Sequence, residues 1–365
     1  MESFFLIAAY FSPAIFLGLP RLYATDGGSA LWLMPFIIFL FLIPVLWMIV
    51  HLYKNYPDQS LVQIIGRLWG PWAQPLAGLF FCVFFVIFTG LFLRQFSVMI
   101  NVSMLATSQP SVTILPLLLA GIIGALQGPQ IISRTNWVLM PLNLGIFLIM
   151  IAASLRTATP VYIAPLLGPG IDLLLWRSFL RTPTLLDILI IPVLFPFFRQ
   201  LSHCRMSTWY GLGFVVFMYS LGLLAFGMNF PAEASSDIAF PLFQLARNIS
   251  IGRFFQRLEV LFVVVWVILS LLKVMLSLYA AAACFSHGIG APYYRPYIWP
   301  MAVLIYTVAF IPVNYLVALH WEWNYLRNAM APVFVLILIS LILLHWRKTK
   351  NKSELPREGE QLSAK

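Results

Sequence analysis

Five ionisable residues fall inside long apolar runs of this chain: Arg94, Asp187, Arg257, Glu259 and Lys273. A charge in hydrocarbon is costly unless it is paired or solvated, so each marks a functional or bracing position. Lys273 lies about four turns into its run, too deep for easy snorkelling from either end. An ion pair with Asp187 and a polar crevice are both open to it. Asp187, one turn into its own run, is either a cap-like group or that partner. Arg94 sits close enough to the outer end of its run to snorkel, or else to touch a ligand. Arg257 and Glu259 are two apart and point to different sides of a helix, so each is expected to brace a separate neighbour.

No catalytic constellation accompanies these charges. His51, His203, His287, His320 and His345 are scattered, and none forms an H-E-x-x-H array. His320-Trp321-Glu322 reads as an outer interfacial patch beside Trp323 and Tyr325, not as a zinc site. Cys82, Cys204 and Cys284 are odd in number and widely spaced, which suits packing better than a disulfide framework. The sequence predicts no enzyme, no metal and no cofactor.

The elements that hold these residues must be membrane helices. With 61% hydrophobic and 9% charged residues, the chain has more apolar surface than one soluble core can bury. Nothing alternates like a barrel strand, so segments of about 20 apolar residues must be helical to satisfy their own peptide groups. The fold class is all-α, polytopic, with about ten spans. They lie near 3–23, 30–51, 74–100, 110–127, 136–155, 183–200, 209–230, 257–286, 297–315 and 329–346. Residues 1–346 then form the transmembrane domain and 347–365 a basic tail. Met1-Glu2 followed by apolar residues lacks a signal's basic start, so the first segment is expected to remain as a helix.

The tail, with Arg347, Lys348, Lys350 and Lys352 directly after the last span, places both termini in the cytoplasm. The remaining loops carry no bias. Under this orientation, residues 316–328 with Arg327 form an outward loop. The net charge of +10 is a topology signal and a weak attraction to anionic lipid, with no pattern that suits nucleic acid.

The stretch 156–182, rich in Pro and Gly, is expected to pack on the membrane face and to divide the domain into halves of about 1–155 and 183–346. The first span of each half is interrupted, by Ser12-Pro13 and by Pro192 and Pro196. Proline removes a backbone donor and clashes with the preceding turn, so both spans should be broken at membrane depth. Matching breaks in two halves point to a five-plus-five inverted repeat with a site at the midplane. Side chains near Ser12 and Pro192 would then face each other.

Several strings carry a resemblance: Leu19-Pro20-Arg21, Tyr56-Pro57 with Leu61 and Gly66, Leu93-Arg94, and Phe240-Pro241-Leu242-Phe243 leading to Arg257-Leu258-Glu259 and Trp266. In this order the chain resembles the endospore germination permeases of the amino acid, polyamine and organocation transporter superfamily. The resemblance implies a pocket between spans one, three, six and eight. It also implies a ligand-sensing subunit for a small nutrient such as an amino acid. Its partners would be a larger membrane subunit and a lipoprotein in the inner membrane of the spore. The residues carried over as ligand-binding are Phe11, Ser12, Pro13, Ala14, Ile15, Arg94, Ile190, Pro192 and Lys273, while Asp187, Arg257 and Glu259 are expected from their own positions to be structural charges. In sodium-coupled members of the superfamily a cation lies between spans one and eight, so Lys273 as a tethered cation becomes a third reading. Pro13-Ala14-Ile15 replaces the family's Gly-Ala-Gly-like run, Ile190 and Pro192 replace Gly and a nearby Glu, and Val98 replaces an acid. A working secondary transporter for an amino acid or amine, with Lys273 replacing a coupling cation, is one alternative, and the bulkier, more apolar walls leave a non-binding scaffold as another.

Overall fold

The computed structural model describes residues 2–105, 107–197, 201–249 and 258–354. Arg257, one of the expected bracing charges, lies outside the described residues. The helices in chain order are α1 (Glu2–Phe11), α2 (Leu19–Gly27), α3 (Met34–Asn55), α4 (Leu61–Trp69), α5 (Ala73–Ser103), α6 (Pro110–Gln127), α7 (Pro129–Ser154) and α8 (Ile171–Leu180). There follow α9 (Ile190–Leu194), α10 (Leu201–Asn229), α11 (Ala232–Ser235), α12 (Pro241–Asn248), α13 (Leu258–Gly288), α14 (Ile298–Phe310), α15 (Tyr315–His320) and α16 (Arg327–Glu354). No strand occurs among the described residues, and the chain is an all-α polytopic membrane protein.

Eight helical segments among the described residues are long and apolar enough to cross a membrane alone. A bent pair, Phe4–Phe16 and Leu19–Ala30, meets at 66° and makes a ninth when counted as one broken span. The expected ninth span is short, the 13 residues of α14, against the about 20 that hydrocarbon requires. Its chain leaves the helix at Ile311 and restarts at Asn314, whose side chain caps α15 by accepting the Val317 N–H at 2.9 Å. The last crossing begins much earlier than expected, because α15, a π-helical turn at Trp321–Leu326 and α16 run on as one segment, Tyr315–Arg347.

The core is built around α13, which packs on α1, α5, α6, α7 and α14. Small residues let α13 and α5 touch backbone to backbone, since a Cβ on Gly78 would lie 2.4 Å from the Gly288 Cα. Farther along the same pair, Phe96 stacks on the fully buried Trp266 at 4.7 Å between centroids. Proline alone does not break a helix here: Pro44, Pro116, Pro141 and Pro332 all sit inside continuous helices.

The connecting stretch after α7 folds over the end of α2 as well as lying along the bundle. Ser29 donates to the Pro165 carbonyl at 2.7 Å, Arg177 donates to the Asp26 carbonyl at 2.7 Å, and Arg181 pairs with the Asp26 carboxylate. Gly168, at φ +53°, fits against the Gly27 carbonyl where a Cβ would collide at 2.3 Å. Within α8, Leu173, Trp176 and Phe179 remain exposed, an apolar face suited to lipid. This connection runs directly into the second interrupted span, so Ile171–Phe197 reads as one apolar run.

Candidate functional site

The first interruption follows Phe11. A 3-10 stretch, Ser12–Phe16, carries Pro13 in its first turn, and Leu17 leaves helical geometry at φ −98°, ψ −139°. Pro13 offers no N–H, and the loosened carbonyls take side-chain donors instead. Ser12 Oγ donates to the Ala8 carbonyl at 2.6 Å, and the Tyr219 hydroxyl, from α10, donates to the Phe11 carbonyl. Every group at this break is neutral.

A half-open cavity of about 40 Å³ lies against the break. Ser12 and Ile15 line it from the first span, Asn143 and Phe147 from α7, Tyr219 from α10 and Leu269 from α13. Asn143 is 3% exposed, and neither its amide nitrogen nor its amide oxygen has a hydrogen-bond partner among the described residues. A buried amide without partners is costly, of the order of 1–3 kcal/mol, so such a group invites a guest.

The second interruption is different in chemistry. Thr182–Leu189 is 3-10, with Leu185 outside helical geometry at φ −94°, ψ 21°, before the short α9 and a further 3-10 turn at Phe195–Phe197. The Thr184 carbonyl takes Arg327 Nη1 at 2.8 Å, and the Pro192 carbonyl takes the Tyr53 hydroxyl at 2.6 Å. Tyr23 closes the other side, bonding Thr184 Oγ1 at 2.8 Å.

Arg327 belongs to a buried ionic cluster. Its Nη1 also reaches Asp187 Oδ2 at 2.9 Å, while Nη2 and Nε reach Glu322 Oε1 at 2.8 and 3.1 Å. Lys273 pairs with the other Asp187 oxygen, and Gln95 donates to the other Glu322 oxygen. Two cations meet two anions, and none of the four side chains is more than 3% exposed. Aromatic faces complete the shell: Lys273 Nζ lies 4.9 Å from the ring centroids of Tyr10 and Phe88, and Arg327 lies 4.2 Å from that of Trp323. The π-helical turn explains the register, because the Arg327 N–H bonds the Glu322 carbonyl across five residues and so stacks these two side chains on one face.

The sequence-predicted residues therefore separate into three places. Phe11, Ser12, Pro13, Ala14 and Ile15 form the first break, with Ser12 and Ile15 in the cavity wall. Asp187 and Lys273 are in the ionic cluster, which realises the ion-pair reading of Lys273. Ile190 and Pro192 are buried within α9, just after the departure from helical geometry at Leu185 and not at a break of their own, and neither they nor Lys273 are among the residues that line the cavity. Arg94 is half-buried and donates to the Val313 carbonyl at 2.8 Å, holding α5 to the turn between α14 and α15. Glu259 is half-buried, with Oε2 unpartnered among the described residues. Among the described residues no three His, Cys, Asp or Glu side chains gather as metal ligands.

Sequence reasoning missed Glu322, Arg327, Gln95, Asn143 and Tyr219. Glu322 was expected in an outer patch and Arg327 in an outward loop, yet they are 2% and 1% exposed. The correction has a physical cause: each charge is neutralised by a partner within the bundle, so a segment too polar to read as a span can still enter it. The signal available was the five-residue spacing of an acid and an arginine across aromatic residues. Asn143 and Tyr219 had no comparable signal.

Two interrupted spans within an all-α bundle define a polytopic membrane protein of the permease-like type. The chain matches the family described as spore germination protein, the spore permeases, over residues 1–316, and it belongs to that family. It is also similar to the spore germination protein YndE of Bacillus subtilis (strain 168), at 22% identity over 235 residues, 64% of this chain. The match spans 65% of the length of that relative.

Proposed function

We propose that this chain is the ligand-sensing, permease-like subunit of a spore germinant receptor, binding a small nutrient at the break in its first span. The observation that carries the reading is the cavity beside Ser12, walled in part by the unpartnered Asn143 amide, in a chain of the spore germination family. A guest there would touch Ser12 and Ile15 of the broken span, and its binding energy would bias the angle between α1 and α2. The ionic cluster serves as the fixed frame, because it joins the second break to α5, α13 and the start of the last crossing. The five-plus-five repeat, the inner spore membrane, cytoplasmic termini and assembly with a larger membrane subunit and a lipoprotein belong to the same proposal.

The experiment uses spores in which the chromosomal copy carries Asn143→Leu, with the partner subunits left intact. Germination in response to the nutrient sensed by the wild type is expected to fall, while the amount of protein in the membrane stays near normal. An unchanged response at normal abundance contradicts the reading. Uptake of that nutrient by the purified chain in liposomes would instead favour a secondary transporter, which the two broken spans also accommodate.

A further inference from the structure

The walls of the cavity beside the first break limit what can occupy it. Asn143 presents one amide donor group and one acceptor, both unpartnered among the described residues, in a side chain 3% exposed. The hydroxyl protons of Ser12 and Tyr219 are already committed to the Ala8 and Phe11 carbonyls, so each hydroxyl offers only acceptor capacity. No charged side chain is among the residues that line the cavity, and the nearest cations of the ionic cluster are engaged with carboxylates. A carboxylate placed here would find the Asn143 amide as its one strong donor, and an ammonium would find no counter-charge. Burying either ion on those terms is unfavourable.

The rest of the wall is apolar: Met140, Phe147, Met218 and Leu269 surround the polar corner. The room of about 40 Å³ exceeds the about 10–15 Å³ that one water needs. Two flexible methionine side chains allow the space to adapt to a slightly larger guest.

We propose that this cavity binds a small uncharged molecule with an apolar body and one polar end that both donates and accepts, as a primary amide does. The proposal rests on the ligand-sensing reading and specifies its ligand as neutral, in place of a zwitterion. Donors on the guest would meet Ser12, Tyr219 and the Asn143 oxygen, and its acceptor would meet the Asn143 nitrogen.

The test is ligand-dependent thermal unfolding of the full chain in lipid nanodiscs, with propionamide as the neutral probe and L-alanine as the zwitterionic one. Propionamide is expected to raise the melting temperature of the wild type in a concentration-dependent way, and L-alanine is not. Asn143→Leu should stay folded and weaken the apparent propionamide affinity by at least about tenfold. A second variant, Asn143→Gln, should recover part of the shift. A shift with L-alanine alone, or no shift with either probe because the cavity holds only water, overturns the proposal. Failure of the broader reading looks different. If the propionamide shift depends on Asn143 but spores carrying Asn143→Leu germinate normally, the neutral site stands and the germinant reading fails. If those spores lose their response while only L-alanine shifts the protein, the sensing reading stands and the neutral ligand fails.

Discussion

At the break in the first span, the Phe11 carbonyl takes a tyrosine hydroxyl and Ser12 donates back to Ala8. At the break in the sixth, the Thr184 carbonyl takes a guanidinium that also grips two carboxylates. Both breaks expose backbone groups that hydrocarbon cannot satisfy. The sixth is closed by charges: both carboxylates are engaged at both oxygens, Arg327 makes four hydrogen bonds, and Lys273 makes one to Asp187 while its ammonium faces the Tyr10 and Phe88 rings. The first is closed by neutral groups and leaves a full amide free beside a cavity. Two interrupted spans thus need not share a role: the charged one suits a joint, and the neutral one, with its unpartnered amide, suits a guest.

The largest effect that would break this comparison is at Arg327. Removing it strips four hydrogen bonds and leaves Asp187 and Glu322 with one partner each. Arg327→Met is expected to cost about 3–5 kcal/mol of stability, seen as loss of folded protein after extraction or a large fall in melting temperature. A melting temperature near that of the wild type would remove the cluster from its structural role.

Lys273→Met should cost less, because Asp187 keeps Arg327. Adding Asp187→Asn restores neutrality to what remains, so the double variant should be more stable than the sum of the single losses predicts. A coupling of about 0.5–3 kcal/mol in this cycle, followed by thermal unfolding, is the expected sign of a contact pair. Additive losses would argue that Lys273 and Asp187 do not depend on each other.

At the first break the expected effect on stability is smaller. Tyr219→Phe removes one neutral hydrogen bond to the Phe11 carbonyl, a change of about 0.5–1.5 kcal/mol. It should alter ligand response more than it alters melting temperature. A loss as large as that of Lys273→Met would erase the contrast between the breaks.

Much of this was legible in the residues. The apolar runs gave the all-α class, Pro13 marked the first break, and Asp187 and Lys273 stood out because charge in hydrocarbon demands a partner. Their pairing was one of the readings open to Lys273, and the packing that joins residues 86 positions apart selects it. Arg327 and Glu322 were passed over because the polar residues around them lowered the local hydropathy, so the last crossing was placed later than Tyr315. A register that only a π-helical turn creates cannot be read from an α-helical pattern. Asn143 was hidden as well, since a single neutral amide in an apolar run looks like ordinary helix packing until its missing partners are seen.

The central claim, that the ionic cluster is a frame and the neutral cavity is the sensor, is tested most directly by one paired measurement. Spores carrying Asn143→Leu are compared with spores carrying Lys273→Met and Asp187→Asn together, and germination response is normalised to the amount of folded protein. The account predicts that Asn143→Leu loses the response at near-normal abundance, while the double variant keeps its response per folded molecule. The reverse result, a normal Asn143→Leu response with the double variant silent at normal abundance, would move the sensing site to the charges and contradict the account.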